Sequence, residues 1–160
     1  RGIDPGVKTA ALKALVTYFD VTTVSMDYQA ESDISILVYG LKEGCLVKLE
    51  PENEQGIAKL MPPGHTPIYQ KLDVSLVDHV ILSSILKINP MDEVKVGFSH
   101  DREDVIHRVD NGEFELAVIV NTVKPGTIKE ISDAADKMPR KSTYFYPKLP
   151  SGLVAYRVKD

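Results

Sequence analysis

The 160-residue chain has little cysteine, little positive charge through most of its length and no long apolar run. Its single cysteine, Cys45, cannot close an internal disulfide, so no part of the fold depends on one and the expected compartment is the cytoplasm. No stretch reaches the roughly 18 apolar residues of a membrane span, so no membrane partner is expected. The opening Arg1-Gly2-Ile3-Asp4 has neither the charged start nor the apolar stretch of a signal peptide, and without an initiator Met the chain reads as a piece of something longer. Nothing matches Gly-x-x-x-x-Gly-Lys or Gly-x-Gly-x-x-Gly, which argues against Walker and Rossmann nucleotide sites.

What the chain does contain suits one globular domain over residues 1–160. Hydrophobic residues make up 43% and charged residues 26%, too apolar for a disordered chain and too charged for a membrane bundle. A domain of this length buries roughly two-thirds of its unfolded surface, enough for a sizeable core. The 19 basic and 23 acidic side chains leave a net charge of −4, but they are unevenly placed. Residues 1–136 hold 13 basic and 22 acidic side chains, and residues 137–160 hold 6 basic and 1 acidic. An acidic body with so short a basic tail is a poor nucleic-acid binder, yet the tail can hold one small anion.

Local signals predict an α+β fold, a mixed β-sheet with helices packed against it and a closing C-terminal hairpin. Asp4-Pro5 opens a helix that carries Val7, Ala11, Leu15 and Phe19. Strands are expected at 21–26, 34–39, 45–49, 93–98 and 114–120. Cys45 alternates with Val47 and Leu49, as a small hydrophobe facing the core would. Helices are expected at 72–86, with Asp73 or a Ser75/Asp78 capping box at its start, at 101–110 ending on Asn111-Gly112, and at 125–137. Residues 51–71, rich in Pro and Gly, form a long loop and the candidate internal boundary. The last two extended runs, 144–149 and 153–158, flank the turn residues Pro150-Ser151-Gly152.

Chemistry concentrates in Arg140 to Lys148. Three cations, two hydroxyls and three consecutive aromatics lie there; in an extended chain Ser142, Tyr144, Tyr146 and Lys148 share one face, with Thr143, Phe145 and Leu149 on the other. Cations neutralise phosphate or carboxylate, hydroxyls donate hydrogen bonds and tyrosines stack on rings. The expected ligand-binding residues are therefore Arg140, Lys141, Ser142, Thr143, Tyr144, Tyr146 and Lys148, and the expected partner is an anionic small molecule or nucleotide. The competing expectation is an ordinary edge strand kept from further pairing by Pro139, Pro147 and Pro150.

The run Met138-Pro139-Arg140-Lys141-Ser142-Thr143-Tyr144-Phe145-Tyr146-Pro147-Lys148-Leu149-Pro150-Ser151-Gly152-Leu153 closely resembles the C-terminal signature of the uncharacterised bacterial and archaeal DUF1015 family (domain of unknown function). Leu72-Asp73-Val74 with Ile81-Leu82 and Ile85-Leu86 resembles that family's preceding helix, and residues 114–121 its intervening strand. The similarity covers about the last ninety residues well and the first fifty loosely. It implies a C-terminal portion of a longer protein. The N-terminal part of the family carries an Asp-Gly-His-His-Arg motif similar to ParB and sulfiredoxin-like proteins, a superfamily that includes nucleotide-dependent kinases of free serine. That motif is absent here, so none of its residues carries over, and Asp136 stands where the family pattern has glycine. The resemblance implies a basic, aromatic wall of a site completed by the N-terminal domain, with phosphoryl transfer to a small metabolite as the activity of the full-length protein. The alternative is a non-catalytic structural or interaction module packing on that domain.

Other candidates are weaker. His100, Asp104 and His107 stand at i, i+4, i+7 and could meet on one helix face, but Asp101, Glu103 and Asp104 already serve the positive end of the helix dipole, so no metal is expected. His65 and His79 have no second ligand at useful spacing and read as surface or partly buried imidazoles, and no residue pattern points to a cofactor.

Overall fold

The structure, a computed structural model, describes residues 2–29 and 34–143. It has the expected α+β class. Helix α1 (Pro5–Leu15) starts as predicted, with the Asp4 carboxylate accepting the Val7 N–H at 2.9 Å and Pro5 in the first turn. Its buried residues, Ala11 and Leu15, face the core. Strands β1 (Phe19–Val24), β2 (Ile36–Tyr39) and β3 (Leu46–Pro51) follow, and β4 (Ala117–Ile119) joins them in the order β1-β3-β2-β4.

Every pairing among the described strands is antiparallel, so the sheet is not mixed as expected. Alternation of helices and strands leaves strand direction open, and β4 runs against β2 with Val118 opposite Val38. The β2–β3 connection needs glycine at residue 40. There φ is +91°, and an added Cβ would lie 2.5 Å from the Glu115 carbonyl oxygen. Cys45 is half-buried, while Val47 and Leu49 are fully buried.

Residues 51–71 hold two short helices where a loop was expected, α2 (Glu54–Ala58) and α3 (Pro67–Gln70). Asn53 caps the first through the Gly56 N–H at 2.9 Å, and Ile57 and Met61 enter the same core as Phe19, Ile36 and Leu49. Thr66 caps α3 ahead of Pro67, the same Xaa-Pro opening that Asp4-Pro5 uses.

The segment at 72–86 is helical as expected, though in two forms. Helix α4 (Asp73–Leu76) runs directly into a nine-residue π-helical segment, Val77–Ile85. Ser83 and Ser84 donate their hydroxyls to the carbonyls of Asp78 and His79, five residues back, following the wider ring of the π-helix. Leu72 is the N-cap and has no side-chain cap bond; neither proposed capping arrangement forms. The Asp73 carboxylate instead accepts the Asn121 N–H at 3.1 Å, tying this helix to the chain beyond β4. The core lies between this helical run and the sheet, with Val80 wholly buried and Leu76 2% exposed.

Residues 93–98 are not a strand. Asp92 folds them into a turn, its carboxylate accepting the Val94 and Lys95 N–H groups at 3.1 and 3.2 Å and its carbonyl the Val96 N–H at 2.8 Å. Local side-chain to backbone bonding wins over the apolar alternation. Helix α5 (Arg102–Asp110) is capped by Asp101, and its Arg102 donates to the carbonyls of Met26 and Tyr28, both at 2.9 Å. Helix α6 (Pro125–Asp133) ends four residues earlier than predicted, because Ala135 turns left-handed at φ +55° and Asp136 donates its N–H to the Ile131 carbonyl. The expected closing hairpin lies outside the described residues.

Candidate binding cleft

The α6 turn places the Asp136 carboxylate among four donors. One oxygen accepts the His65 Nδ1–H at 2.8 Å and the Lys137 N–H at 2.7 Å. The other accepts the Thr66 N–H at 2.7 Å and the Thr66 hydroxyl at 3.0 Å. The Thr66 N–H above all, joined by the other donors, holds this carboxyl well below the usual carboxylate range. An ionised Asp136 can only accept, so His65 carries a proton on Nδ1. The His65 ring stacks on Tyr69, with centroids 3.8 Å apart, and the Tyr69 hydroxyl lies 3.1 Å from His79 Nε2. Burial, helped by His65, pushes the His79 imidazole down, and burial pushes the Tyr69 phenol up.

Four residues beyond Asp136 the chain reaches the predicted cations. Pro139 is buried. The Arg140 guanidinium donates to the Met91 sulfur at 3.2 Å and to Glu93 at 3.0 Å. Lys141 is left-handed at φ +56° and exposed, and it has no ion-pair partner among the described residues. The Ser142 hydroxyl donates back to the Pro139 carbonyl at 2.7 Å, closing a turn at 140–141; the extended run expected at 144–149 lies outside the described residues. Thr143 is exposed; Tyr144, Tyr146 and Lys148 lie outside the described residues.

Arg140 and Lys141 edge a cavity of about 240 Å³. Its walls are mainly apolar: Ile81, Leu82 and Ile85 from the π-helical segment, Val38 and Val118 from the sheet, and Phe98 from the turn at 93–98. Lys95, Arg108 and Asp78 add charge to the lining. Arg108 is held by Glu113 at 2.7 Å and lies over the Phe114 ring. Burial pushes the half-buried Asp78 carboxyl up to about 6, against the opposing pull of the Arg140 charge. Asp73 is likewise raised to about 6 by burial, with the Asn121 N–H pulling it back.

The structure thus brings Arg140 and Lys141 together at one cleft and turns Ser142 back on the local backbone. The sequence reading missed Asp78 on the cleft wall and the Asp136–His65–Tyr69–His79 cluster. Thr66-Pro67 was a readable signal that His65 precedes a helix, but its partner Asp136 lies 71 residues away, beyond any local pattern. Among the described residues no group of three His, Cys, Asp or Glu side chains could hold a metal, and His107 pairs with Asn111 at 3.1 Å.

Fold and site together define an α+β domain with an apolar cleft edged by cations. No protein-family description, curated protein or solved structure matches the chain. Among the described residues no helix is long and apolar enough to cross a membrane.

Proposed function

We propose that this chain is a ligand-binding domain of the DUF1015 type whose cleft takes a small anion carrying an apolar or aromatic body. Arg140 and Lys141 neutralise the anionic group; Tyr144, Tyr146 and Lys148, the other residues expected to bind, lie outside the described residues. The observation that carries the reading is the adjacency of two cations, one of them with no ion-pair partner among the described residues, to a mainly apolar cavity of about 240 Å³. An apolar cavity of about 150 Å³ already accommodates a benzene ring, so there is room for one ring-sized group. A nucleotide enters by its base, with its phosphates at the cationic edge. The further step, phosphoryl transfer to a small metabolite in a site completed by an N-terminal domain, rests on the family resemblance alone.

Calorimetric titration of inorganic phosphate, ADP and ATP into the protein tests the reading. Binding of at least one is expected, weakened roughly tenfold or more by Lys141→Ala, since a charge-assisted hydrogen bond is worth about 1.5–3 kcal/mol. Absence of binding by all three, or affinities indifferent to Lys141→Ala, overturns it.

One observation favours a second reading. Arg140 already spans to Met91 and Glu93, so the strip can act as a brace between the end of α6 and the turn at 93–98. In that reading the chain is a structural or interaction module, and the same titration shows no Lys141 dependence.

A further inference from the structure

The strip from Ala135 to Lys141 is bounded by two non-glycine residues in the left-handed region, at φ +55° and +56°. Such a conformation costs roughly 1–2 kcal/mol per residue and persists only where fixed contacts determine it. At the far end those contacts are Arg140 with Met91 and Glu93, both exposed, and the Ser142 hydroxyl turned back on the carbonyl of the buried Pro139. An exposed ion pair contributes about 0–1 kcal/mol, too little to hold the strip alone. At the near end stands Asp136, whose side chain is 8% exposed and whose two oxygens accept four hydrogen bonds, three of them from His65 and Thr66. Those two residues sit at the start of α3, packed against α6 and fixed in turn by the Tyr69 stack and the Tyr69 N–H bond to the Thr66 hydroxyl.

We infer that Asp136 is the positioning residue of the cleft: its carboxylate locks the start of the strip to His65 and Thr66 and thereby holds Arg140 and Lys141 at the cavity edge. This assignment rests on the binding role proposed above for the two cations. Asp136 acts through Arg140 and Lys141 and touches no ligand itself.

Asp136→Asn is the test, because its NH2 must face either the Thr66 N–H or the Lys137 N–H, so one backbone donor loses its acceptor, and the bonds that remain lose the carboxylate charge. Four measurements are made on the folded variant. Amide hydrogen exchange over residues 137–143 should rise at least tenfold while the amides of α6 keep their protection. Nuclear Overhauser contacts between Arg140 and the Met91 methyl should disappear, and the His65 imidazole nitrogens should lose the fixed Nδ1–H signature. Affinity for ADP should fall about fivefold or more, and His65→Ala, which removes one bond of the four, should fall between wild type and Asp136→Asn.

A purely structural aspartate would lower the melting temperature and leave local exchange, the Arg140–Met91 contact and the affinity of the folded protein unchanged; that result overturns the inference. Should Asp136→Asn not fold, His65→Ala carries the exchange, Arg140–Met91 and affinity measurements, and an unchanged strip in that variant overturns the inference equally. If wild type itself binds none of the anions, the reading of the cleft fails, and exchange with the Arg140–Met91 contact decides separately whether Asp136 holds the strip.

Discussion

Asp136 and Asp78 are both carboxylates drawn partly out of water, and their surroundings push them in opposite directions. Asp136 sits among the donors of Thr66, His65 and Lys137 and is held well below the usual range. Asp78 lines an apolar cavity, and burial raises it to about 6 against the pull of the Arg140 charge. Burial is common to the two; what differs is the supply of donors. The Asp136 cluster is a satisfied polar joint, suited to holding parts in place. The Asp78 wall is an electrostatically unfinished surface, the kind of place where a ligand supplies the missing partner.

The framework shared by both regions is the helical run from Asp73 to Ile85, and breaking it gives the largest effect. Leu76, 2% exposed, stands where α4 becomes the π-helical segment. Leu76→Ala should cost about 3 kcal/mol in chemical denaturation, within the usual range for a buried leucine truncated to alanine. A loss below about 1 kcal/mol would mean that this junction does not hold the two regions together.

How much of this contrast could be read in the sequence depends on the range of the interactions. Asp4-Pro5 and Asn111-Gly112 were legible because a cap is decided within one turn of chain. Val94, Val96 and Phe98 misled: their alternation is a strand signal, but Asp92 bonds the following N–H groups first, and Val94 is left 74% exposed. The π-helical form of residues 77–85 has no signature in apolar spacing, since Val77, Val80, Ile81 and Ile85 fit an α-helix as well. Of the site, the cations were visible by composition. Asp136 was visible only as an oddity, because its partners are 70 and 71 residues away and no local pattern links them.

The difference between the two carboxylates also has a pH signature. Asp78 holds its proton more tightly folded than unfolded, so its contribution to stability is most favourable below about pH 4 and is lost as the pH rises through about 6. Asp136 runs the other way: its contribution is present above about pH 4 and is lost only in stronger acid. Asp78→Asn should therefore raise stability by about 1–2 kcal/mol near pH 7.5, after discounting for the exposed part of the side chain, and change it little near pH 4. Stability gained equally at both pH values would show that the carboxyl is not strained by its wall, and the contrast with Asp136 would collapse.

The smallest effect separates the two readings of the strip. Glu93 is 78% exposed, so its ion pair with Arg140 is screened by water and salt, and Glu93→Ala should change stability by less than about 1 kcal/mol. Its consequence for binding is larger in proportion. Removing Glu93 takes away a carboxylate that competes with any incoming anion for the Arg140 guanidinium, so a ligand anion should bind about two- to fivefold more tightly in low salt, with the gain fading as salt is added. A brace predicts the reverse order of effects: anion affinity stays flat while the turn at 93–98 loosens in hydrogen exchange. Because the same guanidinium cannot serve Glu93 and a ligand at full strength, the sign of the affinity change in this one variant says whether Arg140 is held back for a ligand or spent on the fold.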